Sequence, residues 1–327
     1  MQSHTTTVNG IEMRWEETGA GDPVILLHGI PTCPALWRDV APKLTGRRVL
    51  AWEMPGYGAS IPQGEGRDIS VAKQADYLVA WMRDQGISRA ILAAHDLGGG
   101  VAQIAAVRHP EMVSGLLLTN AISYDSWPVP LVSAVAKTGG VAKHAPDGSF
   151  HQLLKMMFSK GHETDAAAEA AFDAHAPHYA QHGEAEAFVR QAQSLDVEDT
   201  KAIADKLPTL NIPARIIWGA ADEFQKLEYG ERLAKDLNAP LRRIEGGKHF
   251  TPEDHPDLLA EEINAFLTAN GYETSRPDDL RKWVARRDAG ENVDYAISQE
   301  APPPMMLDSK DGATGAFMRK AGSGFLA

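Results

Sequence analysis

Ala90-Ile91-Leu92-Ala93-Ala94-His95-Asp96-Leu97-Gly98-Gly99-Gly100 is the stretch that decides how this chain folds. The continuous apolar run from Ala90 to Ala94 fits a short strand buried on both faces. From Gly98 to His109 the spacing is helical. Between the two sits a single charged residue, Asp96, with small residues at 94, 98 and 99. Small residues there let the backbone turn sharply and let the following helix pack close. The central side chain is then thrust out at the C-terminal edge of a sheet, above a helix N-terminus. An aspartate in this place can also be an ordinary helix N-cap, and the stretch by itself leaves both readings open.

Reading outward, the same rhythm continues on both sides. Thr5 to Val8 and Glu12 to Glu17 alternate around Asn9-Gly10, a hairpin signal. Strands are predicted at Pro23–Leu27, Arg48–Trp52 and Val113–Thr119. Helices are predicted at Leu36–Leu44 and at Val71–Arg83, the latter stopped by Gly86. From about Ser123 to Leu207 only helical segments are found: Leu131–Ala142, Phe150–Phe158, Asp165–Phe172 and Ala185–Ser194. The strand–helix rhythm resumes with Ala214–Trp218, Leu227–Leu237, Leu241–Ile244 and Pro256–Ala269. The pattern describes an α/β domain with a mostly parallel sheet, helices on both faces and an all-helical insertion. The expected division is 1–122 and 208–271 for the core and 123–207 for the insertion. Residues 272–327, with a triple proline at 302–304, are expected to be a loosely structured C-terminal extension.

Composition narrows the classes of function. The chain has 327 residues, 43% hydrophobic and 23% charged, as in a soluble globular protein. Its net charge of -12 argues against binding nucleic acid or an anionic membrane surface. One cysteine, Cys33, allows no internal disulfide and fits a reducing compartment. No signal peptide and no membrane-length apolar run is seen, so a cytoplasmic protein acting on a small molecule is expected. The twelve histidines show no metal-ligand spacing, and neither metal nor organic cofactor is expected.

Four further positions gain weight together. His28-Gly29-Ile30-Pro31 follows the strand at 23–27, and a glycine turn there can aim N–H groups at a nascent oxyanion. Gly56-Tyr57-Gly58-Ala59-Ser60 follows the next strand. Asp222 comes four residues after the strand at 214–218, and His249 follows the strand at 241–244. Singly, each is most simply a loop residue. Jointly, Asp96, Asp222 and His249 stand in the chain order nucleophile, acid, histidine, all at one edge of a parallel sheet.

On these residues the chain resembles the α/β-hydrolases, and more narrowly the branch of epoxide hydrolases and haloalkane dehalogenases with an aspartate nucleophile. His28 to Pro31 matches an HGxP motif, Gly56 to Ser60 a GxGxS loop, and Ala94 to Gly99 the nucleophile elbow, with the resemblance covering about residues 10–270. The resemblance implies the α/β-hydrolase fold with the insertion as a helical cap. It implies Asp96 as nucleophile, His249 as base, Asp222 as its orienting acid, and the backbone N–H groups of Ile30 and Leu97 as oxyanion hole. His28, Pro31, His95 and Phe250 are expected around the substrate pocket.

An aspartate nucleophile narrows the reaction. A carboxylate attacking an acyl carbon makes an anhydride that reverts, whereas attack on an sp³ carbon makes an ordinary ester. Epoxide opening, the leading expectation, needs an acid for the alkoxide. The insertion offers Tyr179 first, then Tyr124, with His144 and His151 as substitutes. Halide release, the alternative, needs N–H donors. Leu97 and Ile30 stand where dehalogenases commonly have tryptophan and asparagine, which leaves the indoles of Trp37 and Trp127. Other hydrolase or lyase chemistry is a third possibility, since a fold does not fix its reaction. A ligand receptor on a hydrolase scaffold is a fourth, opposed by the intact triad.

Overall fold

Asparagine and glycine at positive φ turn the chain sharply after its first strand. In the computed structural model, which describes residues 1–142 and 148–271, β1 (Gln2–Val8) and β2 (Ile11–Gly19) pair around Asn9 (φ 52°) and Gly10 (φ 77°). Two consecutive positive φ values are what a two-residue hairpin loop requires. β3 (Pro23–Leu27), β4 (Arg48–Glu53), β5 (Ala90–His95), β6 (Val113–Thr119), β7 (Ala214–Gly219) and β8 (Leu241–Ile244) complete an eight-stranded sheet. The order is β1-β2-β4-β3-β5-β6-β7-β8. β2 pairs antiparallel with β1 and β4, and all other neighbours are parallel. β5 and β6 are buried at every residue, so both of their faces are covered, as the apolar runs Ala90–Ala94 and Leu116–Leu118 require.

α1 (Val71–Asp84) and α2 (Leu97–Arg108) follow β4 and β5. α1 begins at Ser70, whose hydroxyl accepts the Lys73 N–H at 3.3 Å, and it buries Val71, Ala75, Leu78 and Met82 at helical spacing. Between β6 and β7 come α3 (Pro130–Ala142), α4 (Ser149–Gly161), α5 (Asp165–Gln181), α6 (Glu184–Gln193) and the short α7 (Glu198–Lys201). α8 (Leu227–Asp236), α9 (Thr251–Asp254) and α10 (Pro256–Ala269) follow in the last third. The expected tail at 272–327 and His144 lie outside the described residues. Among the described residues no helix is long and apolar enough to cross a membrane.

Two elements differ from expectation. Leu36–Leu44 is not an α-helix but two 3₁₀ turns, Pro34–Trp37 and Ala41–Lys43. Pro42 lacks the N–H that an α-helix would need there, and its ring would strike the carbonyl four residues back. α5 runs nine residues past Phe172, through Pro177, because Phe172, His175, Ala176 and Tyr179 continue one buried stripe.

The first turn of α2 lies directly against its neighbours. A β-carbon on Gly98 would sit 2.5 Å from the carbonyl oxygen of His28, and one on Gly99 would sit 2.2 Å from Cβ of Ala121. These glycines bring the start of α2 down onto the chain leaving β3 and β6. Gly99→Ala should therefore destabilise the protein by about 1–3 kcal/mol through overpacking, although alanine favours a helix. The measurement is a urea midpoint at unchanged m-value. A midpoint equal to or above wild type would show that the contact relaxes freely.

Candidate active site

Asp96 sits at φ 48° and ψ −121°, a conformation that costs a non-glycine residue about 1–3 kcal/mol. Its carbonyl accepts the N–H groups of Gly99 (2.9 Å) and Ile122 (3.1 Å), which fixes the turn. The side chain does not cap α2. Instead Oδ2 accepts the Ile30 N–H at 2.9 Å, and the Leu97 N–H also supports the carboxylate. A β-carbon on Gly29 would lie 2.3 Å from that Oδ2, so the HGxP turn reaches the carboxylate only because residue 29 is glycine. Burial dominates the proton affinity of Asp96 and raises its pKa, against the opposing pull of His249 and the two N–H groups.

His249 faces the same region. Its Nδ1 donates to Asp222 Oδ2 at 2.8 Å, which leaves Nε2 as the ring atom free to accept a proton. Burial alone would lower the His249 pKa, but the Asp222 and Asp96 carboxylates outweigh it and the pKa is raised. Asp222 is held from several sides: Asn120 Nδ2 donates to Oδ2 at 2.7 Å and the Phe224 N–H donates to Oδ1 at 2.7 Å. Asn120 was not singled out from the sequence. It stands at φ 43° directly after β6, and its Oδ1 accepts from the Gly219 N–H at 3.2 Å and from Thr251 Oγ1 at 3.1 Å. An asparagine just past the end of a buried strand is the signal that could have marked it.

A small, largely apolar cavity lies over these groups. The sheet edge supplies Ile30, Asp96, Leu97, Ile122, His249 and Phe250, and the loop after β7 adds Phe224 and Gln225. The segment between β6 and β7 supplies Trp127, Pro128, Val129, Val132, Met157 and Leu195. The wall is apolar except at Asp96, His249 and Gln225. Gln225 is 2% exposed, and its Oε1 is buried with no hydrogen-bond partner. Leaving such an oxygen unpaired costs about 1–3 kcal/mol.

The other expected residues are mostly placed elsewhere. Tyr179 gives its hydroxyl to Gln191 Oε1 at 2.7 Å within the packing of α5 and α6, and it does not line the cavity. Tyr124 gives its hydroxyl to Asp236 Oδ2 at 2.7 Å, with the Arg232 guanidinium 3.6 Å over its ring. His151 is exposed on α4, edge-on to Phe172. Trp127 lines the cavity, but its indole N–H is spent on Thr200 Oγ1 at 2.6 Å. Trp37 is fully buried and away from the cavity, its Nε1 unpartnered.

Of the expected pocket residues, Phe250 does line the wall, whereas His28, Pro31 and His95 support it from behind. His28 Nδ1 donates to the Gly29 carbonyl at 3.0 Å and Nε2 accepts the Met54 N–H at 3.1 Å; burial pushes its pKa down to about 3. Pro31 is buried in the turn that carries the Ile30 N–H, after a cis peptide bond. His95 Nε2 donates to the His249 carbonyl at 3.0 Å, and burial keeps it neutral.

Comparison with known proteins agrees with this architecture. Residues 22–256 match the alpha/beta hydrolase fold family. An uncharacterized hydrolase, YugF of Bacillus subtilis, is 25% identical over 80% of this chain and 96% of its own length. A haloalkane dehalogenase of Sphingobium indicum is 35% identical over 36% of this chain and 40% of its own. A bifunctional epoxide hydrolase 2 of Sus scrofa is 34% identical over 36% of this chain and 22% of its own. A solved alpha/beta hydrolase fold protein from Burkholderia ambifaria superposes with a TM-score of 0.72 at 25% identity, covering 80% of this chain and 96% of that one. The chain belongs to the α/β-hydrolase fold family.

A second cluster, unforeseen from the sequence, ties α4 and α5 to α9. Glu253 on α9 pairs with Arg38, with His175 Nε2 at 3.2 Å and with His162 Nε2 at 3.3 Å. The last contact is an ion pair, since the Nε2 and Oε2 atoms lack hydrogen-bond geometry. His162 Nδ1 donates to Asp254 Oδ1 at 2.9 Å, and Cys33 Sγ lies 3.3 Å from His175 Nδ1. Glu163 N–H and the Gly161 carbonyl continue the seam, the latter accepting the His249 N–H at 3.0 Å. Burial would lower the His162 pKa, but the Asp254 and Glu253 carboxylates raise it.

A histidine whose folded pKa is raised stabilises most below its unfolded value of about 6.5. That contribution is lost as pH rises through the folded value. Melting curves from pH 6 to 9 should show wild type losing its advantage over His162→Gln as pH rises. Parallel curves would mean that His162 does not carry the charge.

Proposed function

We propose that this protein is a hydrolase that acts on a small, largely apolar alkyl electrophile through a covalent ester on Asp96. Residues 1–122 and 208–271 form the catalytic body and 123–207 the cap. The observation that supports this most is a carboxylate held by the Ile30 and Leu97 N–H groups, facing an apolar cavity shared with His249. With Oδ2 engaged by Ile30, Oδ1 is the oxygen left to attack. It bonds to the substrate carbon, the carbon–X bond breaks, and X leaves with its electron pair. Neutral His249 Nε2 then takes a proton from water, and the hydroxide adds to Cγ of Asp96. Charge gathers on Oδ2, where the Ile30 N–H can stabilise it. Collapse expels the alkoxide, which takes the proton from His249 as the alcohol departs. The carboxyl group left on Asp96 ionises to solvent, so RX and water give ROH, a proton and X⁻.

We read the leaving group as a halide, with neither expected N–H donor at hand: Trp127 gives its indole N–H to Thr200, and Trp37 does not line the cavity. A halide departs as a stable anion, whereas an epoxide leaves an alkoxide that needs an acid at hand. The two tyrosine hydroxyls expected in that role are engaged with Gln191 and Asp236. Epoxide opening is the alternative, and it would take its acid from residues outside those placed here.

Two measurements test the ester. With a haloalkane that wild type turns over, His249→Gln should lose on the order of 10²–10⁴ in turnover and accumulate an adduct on Asp96 visible by intact mass. Asp96→Ala should form none. In a single turnover in ¹⁸O-water, the label should enter Asp96 and leave the product alcohol unlabelled. Label appearing in the alcohol means direct attack by water, and the ester reading fails. Diol formation without halide release from a mixed panel transfers the assignment to epoxides.

A further inference from the structure

Gln225 is an amide set into an apolar wall. It follows Asp222 by three residues, on a loop fixed at both ends: the Phe224 N–H donates to Asp222 Oδ1, and the Gln225 carbonyl accepts the Trp218 indole N–H at 2.9 Å. The backbone is therefore held, and the side chain shares the cavity of Asp96 and His249. Among the described residues no protein group answers its carboxamide oxygen, although the residue is buried. A buried polar atom without a partner in the free protein is a place where a ligand can supply one. An apolar side chain of similar volume would fill the wall without that cost.

We propose that the Gln225 carboxamide reads a hydroxyl group on the substrate, so that the preferred electrophile is a hydroxyl-bearing alkyl compound and not a bare hydrocarbon chain. This rests on the reading of the cavity as the substrate site. A hydroxyl both donates and accepts, and so it answers the amide with either its oxygen or its nitrogen turned to the ligand. A site built around such a contact discriminates strongly against an analogue lacking the group, because the protein partner is then stranded.

The experiment compares pairs of equal chain length, one member with a distal hydroxyl and one without, in wild type and in Gln225→Leu. In kcat/KM for haloalkanes and for epoxides, wild type should favour the hydroxylated member on the order of tenfold or more, and Gln225→Leu should lose or reverse the preference. A second arm needs no turnover. Unreactive pairs, an alkanediol and the matching mono-alcohol, are titrated by ligand-observed NMR. The diol should bind more tightly to wild type and equally with the alcohol to Gln225→Leu. A third reading is stability: removing an unpartnered buried amide should leave Tm of the free protein unchanged or raised.

Equal binding of the two alcohols to wild type, absence of binding by both, or the same preference in the variant overturns the proposal. So does a clear loss of Tm in Gln225→Leu, which would show that the amide serves the fold. Diol preference without any Asp96 adduct would keep the proposal and reject the ester chemistry. An adduct without diol preference would do the reverse.

Discussion

Asp96 is held at φ 48° and ψ −121°, a backbone conformation that a carboxylate side chain adopts only when its surroundings impose it. They do so from three directions. Its carbonyl is tied to Gly99 in α2 and to Ile122 beyond β6, and its side chain is tied to Ile30 beyond β3. β3, β5 and β6 are adjacent parallel strands, so the chain segments leaving them meet at one edge of the sheet. The glycines at 29, 98 and 99 close the remaining distance, since each stands where a β-carbon would collide with a neighbour. The strain in one residue is thus supported by the order of three strands.

The same edge carries the second half of the constellation. β7 and β8 are parallel to β6 and lie beyond it, which brings Asp222 and His249 over α2. Their alignment is not left to the pair alone. Asn120 bridges the chain after β6 to Asp222, to the end of β7 through Gly219, and to Thr251 beside His249. His95, at the end of β5, holds the His249 carbonyl from beneath. A buried carboxylate gains from such a frame because fixed N–H dipoles replace the water it has lost and need no reorganisation during reaction. Burial still raises the Asp96 pKa, so the frame offsets the desolvation only in part.

Much of this is legible in the sequence because strand ends are. Continuous apolar runs mark buried parallel strands, and whatever follows each must lie at one edge; this alone brings Asp96, Asp222 and His249 together. Asn120 follows the same rule, yet an amide after a strand has no chemistry of its own to draw attention. The helical segment resists such reading. A residue there faces the cavity according to the rotation and docking of its helix, and local spacing does not fix either. Tyr179 and Tyr124 carry the right functional group, but their hydroxyls are directed to Gln191 and Asp236. The cluster around Glu253 joins Arg38, His162, His175 and Asp254 from four separated segments, and none of their spacings announces it. Leu36–Leu44 shows a different limit: its apolar spacing is helical, and Pro42 overrides it.

What the donors are already doing bears on the chemistry more than which donors are present. Trp127 lies in the cavity wall with its indole N–H on Thr200, and that hydroxyl in turn donates to the Tyr124 carbonyl at 2.7 Å. Turning the indole towards a leaving group would strand Thr200. Turning the Tyr179 hydroxyl would strand Gln191, whose own amide holds the Gly56 carbonyl at 2.8 Å. Each diversion would leave a buried acceptor unpaired at about 1–3 kcal/mol, and would return at most one hydrogen bond to a departing atom. A polar side chain in a cavity wall is therefore available to substrate only to the extent that the protein has not already answered it. By that measure the Asp96–His249 pair and Gln225 are what the wall offers among its described residues. In the proposed chemistry the first acts as nucleophile and base, its imidazole still unprotonated while the carbon–X bond breaks, and the second is an amide, too weak an acid to protonate an alkoxide. For the proposed alkyl transfer to Asp96, such a wall suits a bond whose leaving atom carries its own charge away.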